Sequence, residues 1–332
     1  MKNTLFIVAI GIFFLWFGCG NPQKKGPHVD EDELADIDVK VHRYGKALFA
    51  LDTNNFQNEL KEIHNEFRLF LGDNIDNQEI TAPLYEFITD TSLISIARVV
   101  ENEYPDISFL ELQLEDAYAR YQYFFPGFII PDTYTYISNL YYEKPVIYND
   151  PVLIIALDVY LGPEYPVYRT LGLPYYIIRR MTSEKIAIDV MMELYLNNLS
   201  PQTKQKTLID RMIDGGKQMY YLDAVLPNVP DSIKIGYTSS QMNWIENNSH
   251  NIWAFLVENK LFYSADHKVH NNLTKDGPFT GGFSNESPPK TAIWLGWQIV
   301  RSYMDRNPDV TLMQLIEEKD SQKIFNKSGY KP

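Results

Sequence analysis

The fold is decided by FIIPDTYTYISNLYYEKPVIYNDPVLIIAL, residues 128–157. Phe128-Ile129-Ile130, Tyr134 to Ile137, Val146-Ile147-Tyr148 and Leu153-Ile154-Ile155-Ala156-Leu157 are rich in β-branched and aromatic side chains, which suit a pleated, half-buried surface. Prolines and Asn149-Asp150 punctuate these runs, so the stretch predicts a small sheet of three or four strands. On both sides the apolar period is that of a helix. Upstream, Phe56, Leu60, Ile63, Phe67 and Leu71 predict one amphipathic helix ended by Gly72. Residues 83–100 and 109–124 predict two more, and Pro126 then breaks the pattern. Downstream, helices are expected over 184–199, from Pro201 to Gly215-Gly216, and over 217–226, 239–262, 291–306 and 311–325. Residues 162–174 and 265–289 read as long loops. No internal repeat appears. The pattern gives an α+β class, a helix-rich single domain around a small β-sheet.

The rest of the composition suits such a body. Of 332 residues 45% are hydrophobic, enough to offset the entropy of ordering the chain, so disorder throughout is excluded. Acidic residues outnumber basic ones 43 to 30, and the mean field of this −13 chain repels phosphate. A nucleic-acid partner is therefore not expected. The N-terminus stands apart from the body. Lys2 precedes an apolar run from Leu5 to Phe17, too short for a bilayer-spanning helix of roughly 20 residues and suited to a signal peptide. The run ends at Gly18-Cys19, and Cys19 is the single cysteine of the chain. A cysteine directly after such a run resembles the acylation site of bacterial lipoproteins. The expected organisation is a signal peptide over 1–18, a lipidated tether over 19–38 and one α+β domain over 39–332.

Familiar catalytic signatures are missing. The chain has no G-x-S-x-G elbow, phosphate loop, dinucleotide fingerprint or C-x-x-C. None of its histidines, His28, His42, His64, His250, His267 and His270, stands in an H-E-x-x-H helix, the spacing that puts two imidazoles on one face around zinc. His267 and His270 fall in a polar stretch without a carboxylate at ligand spacing, and His64 reads as a satisfied core histidine. No metal or other cofactor is expected. Asp189 and Glu193, four apart on one helical face, are candidate acid–base or cation-holding groups, and a solvated face is the plainer reading. Glu258 lies between apolar residues and is a third candidate. The least ordinary stretch is Trp294-Leu295-Gly296-Trp297-Gln298-Ile299-Val300-Arg301. Gly296 inside a helix costs about 1 kcal/mol against alanine, so close packing is expected there. Trp294 and Trp297 share an apolar face, with Arg301 as the candidate functional side chain.

Several segments taken together carry a resemblance. Gly216-Lys217-Gln218-Met219-Tyr220-Tyr221-Leu222-Asp223, Ile235-Gly236-Tyr237-Thr238, Asn251-Ile252-Trp253 and the stretch from Trp294 to Met304 occur in an order similar to the gliding-motility lipoprotein family GldB. So do Ile155 to Gly162 and the closing Ser328-Gly329-Tyr330-Lys331-Pro332. The resemblance implies a non-catalytic docking or scaffold component of gliding, linked to type IX secretion, with other motility envelope proteins as partners. The expected location is the outer membrane, with the lipid anchor in the membrane and the body facing the periplasm. A weaker likeness is to zincin-type peptidases, whose H-E-x-x-H helix would correspond to residues around 184–199. Here that stretch contains Ile186-Ala187-Ile188-Asp189-Val190-Met191-Met192, so a zincin-like scaffold would have lost its metal. The alternatives are a carboxylate- or metal-dependent hydrolase, and a periplasmic glycan- or ligand-binding module. The first requires Asp189, Glu193 and Glu258 to converge. The docking reading requires an aromatic patch outside the core.

Overall fold

A computed structural model describes residues 26–201 and 206–332, and within them the fold is α+β. Four strands form one mixed sheet: β1 (Val41–His42), β2 (Asp132–Tyr136), β3 (Val146–Asn149) and β4 (Val152–Ala156). Their order is β1-β2-β4-β3, with β1, β2 and β4 parallel and β3 antiparallel on the far edge. Alternation along the strands sorts the side chains. Thr133, Thr135, Leu153 and Ile155 are buried in the main core, while Tyr134 and Tyr136 face a smaller core of Tyr44, Leu48, Leu60 and Leu71. Phe128-Ile129-Ile130 adopts no strand. Its first ring packs on Tyr121 at 4.2 Å between centroids and Ile129 projects outward, so β-propensity there serves packing without a partner strand.

Six helices lie between β1 and β2: α1 (Tyr44–Phe49), α2 (Phe56–Ile63), α3 (Arg68–Leu71), α4 (Gln78–Thr89), α5 (Thr91–Glu103) and α6 (Ser108–Phe124). Two expected helices are each divided. The 56–71 pattern breaks between α2 and α3, where His64 Nε2 bonds the Gly72 carbonyl at 2.7 Å and Gly72 turns at φ +70°. The 83–100 pattern breaks at Asp90, whose carboxylate accepts from the backbone N–H groups of Ser92 and Leu93 and so starts α5. Residues 26–38, expected as tether, run along the body. Val29 is buried, Glu33 accepts from the Tyr123 hydroxyl at 2.9 Å, and the Val39 and Val41 N–H groups donate to Glu115 and Glu111 of α6.

After the sheet come α7 (Pro166–Thr170) and α8 (Tyr175–Ile178), the first lying inside an expected loop. They are followed by α9 (Ile186–Leu194), α10 (Leu208–Val225), α11 (Asp231–Ile235), α12 (Ser239–Glu258) and α13 (His267–Thr274), the last inside the other expected loop. The chain closes with α14 (Thr291–Arg306), α15 (Leu312–Glu317) and α16 (Ser321–Ser328), the last two divided at the Asp320 cap. Gly215-Gly216 does not end a helix: α10 runs through it. The reason lies across the contact with α14. A methyl on Gly296 would stand 1.8 Å from the Met212 carbonyl oxygen, and one on Gly216 would stand 2.4 Å from that of Gly296. The two backbones touch, and glycine is the residue that permits it. No helix among the described residues is long and apolar enough to cross a membrane.

Candidate functional site

The pairing of α10 with α14 brings ionised side chains into the core. Asp223, in the last turn of α10, receives four hydrogen bonds. Its Oδ1 accepts from Lys234 Nζ at 2.9 Å and Arg301 NH2 at 2.8 Å. Its Oδ2 accepts from Arg301 Nε at 2.8 Å and from the Trp297 indole N–H at 2.7 Å. Arg301 also forks onto Asp231, at 2.9 and 3.1 Å. All four charged residues are buried, and two cations balance two carboxylates. The Arg301 guanidinium lies 3.9 Å from the centre of the Trp297 ring, which stacks edge-on against Trp294 at 5.6 Å. Burial opposes the Arg301 charge, but the bonds and fields of Asp223 and Asp231 outweigh it and hold the guanidinium above its ordinary value. Burial lowers Lys234, and Asp223 offsets part of that. Gly26, at the start of the described chain, packs directly over this cluster: a methyl there would be 2.9 Å from Asp223 Cβ.

Trp294, Trp297 and Arg301 therefore meet, as one buried polar knot and not as a cleft. Sequence reading missed three of its members: Asp223, Asp231 and Lys234. The signal for Asp223 was present, since it follows Tyr220-Tyr221-Leu222 and precedes Ala224-Val225-Leu226. The same argument singled out Glu258, which is exposed at the end of α12.

The carboxylate candidates share no hydrogen-bonding partner. Asp189 Oδ2 accepts from the Tyr160 hydroxyl at 3.0 Å, and Asp189 Oδ1 is 3.3 Å from Lys185 Nζ. Glu193 accepts from Asn197 at 3.1 Å. His267 and His270 lie on α13 with ring centres 5.9 Å apart, and buried His270 bonds the Ser264 carbonyl at 2.7 Å. Among the described residues no group of three or more His, Cys, Asp or Glu could hold a metal ion. Two other lysines, one buried and one half-buried, have their charge opposed by burial. Lys217, whose Nζ donates to the Ile316 and Glu318 carbonyls, is lowered to about 8. Half-buried Lys290, donating to the Ile235 carbonyl at 2.7 Å, is lowered to about 7.

The surface carries concavities instead. One of about 280 Å³ is walled by Tyr121, Phe125, Pro126, Phe128, Ile129 and Tyr148, with Ile129 70% exposed. Another, of about 450 Å³, lies between α6, the start of α9, the turn at Val229-Pro230 and Ile233 of α11. Neither is lined by Asp189, Glu193 or Glu258. Cys19, the expected acylation site, lies outside the described residues.

A family model described as gliding motility protein GldB matches residues 24–332. No curated protein and no solved structure matches the chain. The match spans the strap over the buried cluster, the sheet and every helix described above, so this chain belongs to the gliding motility protein GldB family.

Proposed function

We propose that the chain is a lipoprotein of the cell envelope, acylated at Cys19, that docks other gliding-motility components without catalysing a reaction. Family membership ties it to gliding motility. The observation that carries the docking reading is the fate of the polar residues in the core. Asp223, Asp231, Lys234 and Arg301 consume one another's charge, so the charged residues gathered around the α14 tryptophans hold the fold together and face no cleft. The aromatic concavity around Tyr121, Phe128 and Ile129 supports a contact surface, since large rigid rings give contact area at low entropic cost. The anchor would hold the body at the outer membrane, facing the periplasm and the type IX secretion apparatus with which gliding is linked.

Genetic complementation separates docking from catalysis. In cells lacking their own copy, a chain carrying Asp189→Asn, Glu193→Gln and Glu258→Gln together restores gliding fully. Loss of gliding at normal protein level would return the hydrolase reading, as would stoichiometric zinc in the purified chain. Ile129→Asp is expected to abolish gliding while changing stability by less than about 0.5 kcal/mol, the usual range for an exposed site.

A further inference from the structure

A third cavity, of about 390 Å³, opens at one end of the sheet. Strands β1, β2 and β4 run parallel and finish at His42, Tyr136 and Ala156. The residues immediately at or after those ends, Arg43, Tyr136, Ile137 and Leu157, line the cavity. Outside the carboxyl ends of parallel strands is where α/β sheets place their ligands, because the strands stop there and the connections part. Here α1 and α5 supply the remaining walls, and Phe49, Ile94 and Ala97 make them largely apolar.

The charged groups of this cavity are unbalanced. Arg43, Lys46 and Arg98 face it with Glu101 as the one carboxylate among its lining residues. Glu101 is already divided: one oxygen is 3.2 Å from Arg43 NH2 and the other is bonded by Lys46 Nζ. Arg43 is further fixed by the Pro105 carbonyl at 3.1 Å and by the Tyr104 carbonyl, yet its buried Nε has no partner. Arg98, exposed on α5, makes no ion pair among the described residues. A cationic excess around an apolar pocket, in a chain of net charge −13, is the reverse of the overall field.

From the position, the volume and this imbalance we infer that the cavity binds a small organic anion, a single carboxylate or phosphate on an apolar body. The head group lies against the exposed guanidinium of Arg98, which can donate to two oxygens at once, while Arg43 and Lys46 add positive field from their fixed positions. The apolar body lies against Phe49, Ile94 and Ala97. The volume is that of an ordinary small-molecule site. The reading is independent of the docking function and of Cys19.

Calorimetric titration of the full chain in detergent tests it, with benzoate and phenyl phosphate as probes and inorganic phosphate as the head group alone. Both aromatic anions should bind saturably, and either preference between them fits the site. Inorganic phosphate should bind more weakly than phenyl phosphate. Arg98→Glu, at an exposed and unpaired position, should leave thermal stability unchanged and weaken both probes about tenfold or more, the loss of one charge-assisted contact. Arg98→Lys should retain most of the affinity. The inference is overturned by non-saturable binding of both probes, by affinities that Arg98→Glu does not change, or by inorganic phosphate binding as tightly as phenyl phosphate.

Discussion

Arg301 shows how a charged residue in an apolar helix is to be weighed. It stands between Val300 and Ser302 on a helix buried continuously from Trp294 to Tyr303, and a charge in such a place needs partners or a function. It has the partners. Because it supplies four of the hydrogen bonds to Asp223 and Asp231, its removal leaves two buried carboxylates with Lys234 as the one remaining cation of the cluster. Arg301→Met is therefore expected to cost about 3–5 kcal/mol in urea denaturation, and Arg301→Lys should recover little, since one ammonium cannot fork onto Asp223 and Asp231. Asp189→Asn is the contrast. Its pair with Lys185 is partly exposed and should be worth less than about 1 kcal/mol. Equal losses for Arg301→Met and Asp189→Asn would contradict the energetic picture of the knot. The sequence marked Arg301 and the two tryptophans because all three break the pattern of a single helix. It did not mark Asp231 or Lys234, which lie about 70 residues away and become partners only through the tertiary fold.

At the scale of elements, glycine gave one correct expectation and one wrong one. Gly296 was expected to mark close packing, and it does. Gly215-Gly216 was expected to end a helix, and instead α10 runs through it, with Gly216 against Gly296 and Gly215 against the Ile293 side chain. Locally the two situations are identical: each glycine weakens its helix by about 1 kcal/mol, and only the opposing helix decides whether contact repays it. Gly296→Ala would drive a methyl into the Met212 carbonyl, backbone against backbone with no side chain to yield. It is expected to destabilise by about 3 kcal/mol or more, beyond ordinary overpacking, whereas Gly277→Ala should stay within about 0.5 kcal/mol. Thermal unfolding of the two variants makes the comparison; a neutral Gly296→Ala would mean the helices stand further apart. Strands β2, β3 and β4 were legible, while Phe128-Ile129-Ile130 reads as a strand and is none, since propensity reports a surface to pack and not a strand to pair with. β1 was illegible because two residues carry no period.

For the whole molecule, the distinctive quantity is its tyrosine. Of 23 tyrosines, Tyr118, Tyr121, Tyr168, Tyr195 and Tyr221 are among the largest fully or nearly fully buried side chains. Burial pushes Tyr121 and Tyr330 up to about 12, and Tyr118, Tyr168, Tyr195 and Tyr221 well above the ordinary value. The unfolded chain ionises its tyrosines near pH 10, so it releases protons there that the folded chain keeps. Stability from this source is complete below about pH 10 and falls as pH rises through it. Ultraviolet titration should find the buried tyrosines neutral at about pH 11 while circular dichroism remains native, and ionised together on unfolding. Tyrosinate appearing in full near pH 10 in the native protein would show that these rings meet solvent. An aromatic-rich body was plain from composition, but which rings are buried was not, because Tyr263 and Tyr175 are exposed with the same chemistry.

The strap over residues 26–41 adds a mechanical property to this body. Its contacts come one after another along the chain: Gly26 on Asp223, Val29 in the core, Glu33 on Tyr123, Val39 on Glu115 and Val41 on Glu111, then β1 in the sheet. A pull arriving from the N-terminal side therefore loads them singly and in that order, as tape lifts from one end, while the sheet is loaded last. The first contact to yield is the one above Asp223. The strap is thus expected to peel from Gly26 toward β1, so its early contacts can be lost while the sheet is still paired.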